Sequence, residues 1–261
     1  MPVIFVGHGS PMNALLDNDF THALAAFGRV LPKPTAILVI SAHWFVKETS
    51  VTCSDRPETI YDFWGFPEEL YEISYSCPGA PELGARVSDL IMAADVRCDY
   101  QWGLDHGAWT ILKHLFPEAD IPTLQLSIDY SKDPRFHYNL AKQLAPLRKE
   151  GVLILGSGNL VHNLRIIDYD VYAPPRDWAQ EIDTQIKEAL LAGDHETLIN
   201  YSSLGRYANL AIPTEDHYLP MLYTIALQGA EDQLTFIYEG IQHGTVSMRC
   251  FKIESSNHFE G

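Results

Sequence analysis

The apolar residues of this chain fall into two kinds of pattern. Val3-Ile4-Phe5-Val6, Ala36-Ile37-Leu38-Val39-Ile40 and, fourth along the chain, Val152-Leu153-Ile154-Leu155 are short, unbroken runs, while the third strand, Thr123-Leu124-Gln125-Leu126-Ser127-Ile128, alternates. Runs of that length without a polar face read as strands buried on both sides. Between them the spacing turns helical. Phe20, Leu24, Phe27 and Leu31 predict a helix over Asp19–Leu31, and Leu83, Val87, Leu90 and Ile91 one over Pro81–Ala94. Phe136, Leu140, Leu144 and Leu147 mark a helix over Pro134–Lys149, and Ile182, Ile186, Ala189 and Leu190 one over Trp178–Ala192. Further helices are expected over Ala108–Leu115, over Leu198–Tyr207, and from an N-cap at Thr214 to Leu227. Short strands are expected at Val51–Cys53 and Val96–Tyr100, and closing strands at Leu234–Tyr238 and Val246–Phe251, before a polar, frayed tail from Glu254.

Strands alternating with helices predict an α/β fold with a mostly parallel or mixed central sheet flanked by helices. Residues 1–261 show no repeat, low-complexity tract or shift in composition, so a single domain is expected. Pro57–Pro81 stands apart. It is rich in aromatic residues, includes Tyr61-Asp62-Phe63-Trp64-Gly65-Phe66-Pro67, and is too long for a simple connection. Ordered loops of that length often wall a binding site.

The strands end alike. The first runs into Gly7-His8-Gly9-Ser10, the second into Ser41-Ala42-His43-Trp44, and the fourth into Gly156-Ser157-Gly158-Asn159-Leu160-Val161-His162. Three buried strands thus each carry a histidine just past the carboxyl end, the edge where open α/β sheets bind ligands. Histidine is the commonest protein ligand for borderline metals, so His8 and His43 are the first candidates for a metal site, with His162 beside them. His217, expected in the first turn of a helix where the dipole disfavours imidazolium, is a fourth. His106, between Asp105 and Gly107, opens another helix and could face the same site or act as a cap. His22, His114, His137, His195, His243 and His258 lie mid-helix, on polar faces or near the tail, and read as structural or solvated.

Composition narrows the alternatives. A formal net charge of -16, with 18 Lys+Arg against 34 Asp+Glu, leaves no basic stripe for a nucleic acid. No window approaches the ~18 apolar residues of a membrane span. Cys53, Cys77, Cys98 and Cys250 have no C-x-x-C spacing, so a zinc knuckle, a redox motif and a disulfide framework are not expected; with no leader-like segment, a reduced cytoplasmic protein is. The Gly156-Ser157-Gly158 loop lacks the G-x-G-x-x-G register and the Walker lysine. Ser10 and Ser41 do not lie in a G-x-S-x-G elbow, which disfavours a serine hydrolase.

Five motifs in order, His8-Gly9-Ser10-Pro11-Met12, Ser41-Ala42-His43-Trp44, Asp105-His106-Gly107, Gly158-Asn159-Leu160-Val161-His162-Asn163 and His217-Tyr218-Leu219-Pro220, resemble the class III extradiol ring-cleavage dioxygenases. The resemblance runs from Pro2 to about Phe251 and is strongest to the 4,5-DOPA extradiol branch. It implies opening of a catechol ring next to the hydroxyl pair, with both atoms of O2 incorporated at non-haem Fe(II). Relatives of the protocatechuate type use two histidines and a glutamate, whereas His217 stands here where that third ligand is expected. The site is then all-imidazole, a donor set that also suits Zn(II), with which members of this branch are often described. The resemblance further implies metal ligation by His8, His43 and His217, an acid/base role for His162 that could extend to ligation, and a substrate contact for His106. Ser10, Trp44, Trp64 and Tyr218 are the candidate substrate contacts, with Trp109 either wall or core. The rival reading is a zinc hydrolase with Asp105 as its base, and a third is a non-catalytic protein on the same fold.

Overall fold

A computed structural model of the chain describes residues 1–256. Its centre is a six-stranded sheet of β1 (Val3–Gly7), β2 (Ala36–Ser41), β3 (Thr123–Gln125), β4 (Val152–Gly158), β5 (Asp232–Tyr238) and β6 (Cys250–Ser255), in the spatial order β3-β2-β4-β1-β6-β5. The pairs β3–β2, β2–β4 and β4–β1 are parallel, and β6 runs antiparallel to both of its neighbours. The sheet is therefore mixed, and its first and last strands are paired through Val3–Ile253 and Phe5–Phe251.

Period-two alternation divides the strand residues between two cores. Ile4, Val6, Ile37, Val39, Leu153 and Leu155 face one side, where they join Phe20 and Leu24 of α1 (Asp19–Val30). A later helix, Pro81–Leu90, is α2, and α3 (His106–Leu115) adds Ile111 and Leu112 to this same layer. Val3, Phe5, Leu38, Ile40 and Ile154 face the other side. There they meet Leu140 of α4 (Pro134–Lys142), Ile182 and Ile186 of α5 (Asp177–Ala192), and Met221 and Leu222 of α6 (Leu219–Ile225). Coverage on both faces explains why the strand runs lack a polar register.

Several elements depart from the spacing. Thr123–Ile128 is interrupted: β3 stops at Gln125, and Ile128–Asp129 pairs instead with Phe45–Val46. The Pro134–Lys149 helix breaks after Lys142 and resumes at Ala145–Lys149 with Pro146 in its first turn, because proline has no N–H to continue the ladder. The helix expected over Leu198–Tyr207 is replaced by His195–Ile199 and a 3-10 turn at Tyr201–Leu204. Thr214 does not cap a helix, since α6 starts only at Leu219. His217 consequently sits in the turn before it. Glu254 and Ser255 belong to β6, while the rest of the polar tail, with His258, lies outside the described residues.

Cys53 and Cys98 form a disulfide, which corrects the expectation of a reduced chain. They are 45 positions apart, and only the pairing of Ser50–Thr52 with Arg97–Asp99 brings them together. Spacing alone could not signal that contact. The bridge closes the segment that holds the aromatic loop. Among the described residues no helix is long and apolar enough to cross a membrane.

Candidate metal centre

The carboxyl ends of β1, β2 and β4 deliver the histidines to one place. His8 N–H donates to the Gly158 carbonyl at 3.0 Å and Ala42 N–H to Ser157 at 3.0 Å, so the loops leaving the three strands are tied to one another. Gly9 turns the first loop away with φ 62, a conformation that disfavours any Cβ. His217 enters from the other side of β4, where Asn159 N–H donates to its carbonyl at 2.8 Å. That approach requires Gly158, because a Cβ there would lie 2.2 Å from the His217 oxygen.

Three imidazoles meet in a near-equilateral triangle. The His8–His43, His8–His217 and His43–His217 ring centroids are 5.0, 5.2 and 5.0 Å apart. One ring nitrogen from each lies within 4.8 Å of the others. The remaining nitrogens are held from behind. Ser157 Oγ donates to the Gly107 carbonyl at 2.5 Å, so it accepts from His8 Nδ1 at 2.9 Å and leaves His8 Nε2 as the bare nitrogen. His43 Nδ1 lies 3.3 Å from Asp62 Oδ2, and His217 Nδ1 is hydrogen-bonded to Asp216. His8 Nε2 and His43 Nε2 then face each other at 3.1 Å, an arrangement that a shared cation relieves. Neutral imidazoles oriented through their second nitrogen are a donor set for a divalent ion.

His106 and His162 flank the triangle. The His106 ring is 3.9 Å from that of His43, and its Nδ1 and backbone N–H both bind Asp62, each at 2.9 Å. The His162 ring stacks on His217 at 3.5 Å and 11°. His162 groups with Asp216 and His217 rather than with His8 and His43. Burial, followed by the positive charge of neighbouring rings, pushes the pKa of His8, His43 and His162 well below the ordinary histidine value. Burial alone would raise the Asp62 and Asp216 carboxyls, but their hydrogen bonds to His106 and His217 outweigh it and hold both below the usual range.

The triangle opens into a cavity of about 520 Å³. Ser10, Phe63, Trp64, Phe66, Asp168 and His243 are among the residues that line it, along with His43, His106, His162 and His217. Ser10 also caps the following 3-10 turn by accepting from Met12 N–H. Two expected walls lie elsewhere. Trp44 is buried against Trp102, with stacked rings 5.3 Å apart, and Tyr218 is fully buried with its hydroxyl donated to the Leu198 carbonyl. Both alternate away from the histidine beside them and fill the core. Trp109 is also core; its Nε1 donates to Ile60 O at 3.0 Å and anchors the aromatic loop.

Asp105 caps α3 and binds Ser41 Oγ, Gln125 Nε2 and Ala108 N–H, while burial and the nearby Asp62 charge raise its pKa to about 6. It is a structural node, which removes the carboxylate base proposed for a hydrolase. Asp62, Asp216, Asp168 and His243 were not legible as site residues. The signals available were slight: a lone carboxylate among aromatics for Asp62, and adjacency to His217 for Asp216.

Residues 3–250 match the family described as the catalytic LigB subunit of aromatic ring-opening dioxygenase. The chain is 42% identical over 257 residues to a 4,5-DOPA dioxygenase extradiol of Escherichia coli (strain K12), covering 97% of this chain and 94% of that one. It is 39% identical over 260 residues to a Beta vulgaris protein of the same name, covering 97% and 96%. A crystal structure of an uncharacterized protein from Escherichia coli K12 superimposes with a TM-score of 0.86 at 38% identity, covering 97% of this chain and all of the other. The motifs, the imidazole triangle at the sheet edge and these matches agree: the chain belongs to the LigB family of aromatic ring-opening dioxygenases.

Proposed function

We propose that this enzyme opens the ring of a DOPA-like catechol by 4,5-extradiol cleavage, at a divalent ion held by His8, His43 and His217. The observation that carries the reading is the convergence of three imidazole nitrogens within 4.8 Å at the floor of an aromatic-walled cavity. Relatives named 4,5-DOPA dioxygenase extradiol at 36–42% identity support the substrate class. Bound there, Fe(II) would supply the redox chemistry that couples O2 to the catechol, which Zn(II) lacks. A cytoplasmic location belongs to the same reading.

The chain's own residues supply orientation and proton transfer. Phe63 and Phe66 stack edge to face at 5.4 Å and present apolar surface for a flat ring. Asp62 accepts from His106 Nδ1, which leaves His106 Nε2 for a substrate hydroxyl. His162, packed on His217, takes a catechol proton on its ring nitrogen and returns it after ring opening. Stacking fixes its ring plane, which shortens the search for the reactive geometry. Asp62 is occupied by His106 and Asp105 by Ser41 and Gln125, so neither is available as a hydrolytic base.

The test is to strip the metal, reload with Fe(II) without oxygen, and add a catechol and O2. An oxygen electrode should record one O2 per catechol while a yellow ring-opened product forms. The zinc-loaded protein should bind the catechol and leave O2 untouched. Ester hydrolysis by the zinc form, with no O2 uptake by the iron form, overturns the proposal.

A further inference from the structure

The cavity carries an uneven charge. Its lining includes the acidic residues Asp62 and Asp168, and neither a lysine nor an arginine among the described residues. Asp62 is engaged by His106 and His43 at the floor. Asp168 is not. Its Oδ1 accepts from Asp170 N–H at 3.0 Å, and its Oδ2 accepts from no described residue. Arg165 and Arg176, the nearest basic residues along the chain, are absent from the lining.

Asp168 is also held firmly for a loop residue. Its N–H donates to the His243 carbonyl at 3.0 Å, and His243 Nδ1 binds the Asp168 carbonyl at 2.9 Å. His243 adopts φ 55, a left-handed conformation that costs a non-glycine residue energy and persists only where its surroundings enforce it. Leu164, Ile167, Asp168 and Tyr169 around this clasp line the cavity, as does Trp64, which is 87% exposed. At about 520 Å³ the cavity lies within the range of small-molecule pockets, with room for a ring and a side chain.

Resting on the catechol reading above, we propose that Asp168, clasped by His243, selects catechols whose side chain carries an ammonium group. A substituent bearing only a carboxylate meets no cation in the wall and approaches a protein of net charge -16. An ammonium instead finds the free Asp168 oxygen. The selection acts on binding of the side chain, remote from the reacting ring.

Isothermal titration of the zinc-loaded protein reads this without turnover. The probes are dopamine, 3,4-dihydroxyphenylacetate and uncharged 4-methylcatechol. Dopamine should bind tighter than 3,4-dihydroxyphenylacetate by roughly fivefold or more, the range of a partly exposed ion pair. Asp168→Asn should shrink the dopamine advantage over 4-methylcatechol by roughly fivefold, and added salt should erode it in the native protein. If 4-methylcatechol binds but the dopamine ratio is the same in both proteins, the role of Asp168 is overturned while the catechol reading stands. If none of the three binds, the catechol reading itself falls, and this inference with it.

Discussion

The two walls of the cavity are built by different means. On one side the histidines sit at the ends of sheet strands, and their loops are tied by backbone bonds such as His8 N–H to Gly158 and Asn159 N–H to His217. On the other, the aromatic loop contributes no strand to the central sheet. It is pinned by scattered contacts: Ile60 N–H to Leu104, Trp109 to Ile60, Tyr75 hydroxyl to Phe116, and Asp62 to His106. The Cys53–Cys98 bridge closes the segment around it. A candidate metal centre needs a backbone that does not move, and His8 and His43 leave sheet strands directly while the His217 carbonyl is bound by Asn159 just past one. A wall that must admit a substrate can stand on side chains and a crosslink.

The largest effect should come from the rigid wall. His8→Ala or His43→Ala should lose most bound metal, and with it activity, while the circular dichroism spectrum is kept; elemental analysis decides, and full occupancy in both variants refutes the assignment. His162 tests whether flanking the triangle differs from belonging to it. His162→Phe should retain metal and bind catechol, yet turn over ~10²–10⁴-fold more slowly. Metal loss as large as in His8→Ala would make His162 a ligand.

The other wall should answer in stability rather than chemistry. Cys53→Ser should lower unfolding free energy by about 2–4 kcal/mol, as expected for a crosslink closing a long loop. Its metal content should match the native protein, and denaturant melts with metal analysis of the same samples check both halves. Thiol titration of the native protein in denaturant should find the two free cysteines, Cys77 and Cys250.

The smallest effect concerns a histidine away from both walls. His137 is fully buried against Tyr223, and burial lowers its pKa to about 4. A folded pKa below the unfolded value of ~6.5 means that the unfolded chain binds the extra proton first. Its contribution is therefore complete above pH ~6.5 and is lost as pH falls towards 4, with roughly 1–2 kcal/mol gone by pH ~5. Melts of the native protein and His137→Gln across that window should differ in slope. Parallel slopes would show that His137 does not titrate in this way.

Local sequence determined the strands, the helices with long apolar stripes, and the histidines at the carboxyl edge. Each follows from periods of two or 3.6 and from residues adjacent in the chain. The order β3-β2-β4-β1-β6-β5 placed His8, His43 and His162 side by side, and no single segment contains that information. Trp44 and Tyr218 show the same limit: each neighbours a site histidine in sequence, and backbone direction turns each into the core. Asp62 reaches His106 across 44 positions, Asp168 meets His243 across 75, and Cys53 meets Cys98 across 45. Contacts at that range exist only once the sheet has assembled. The identity of the histidines at the candidate metal centre was therefore written locally, whereas the carboxylates that orient them, the crosslink and the charge of the cavity wall were decided by the tertiary fold.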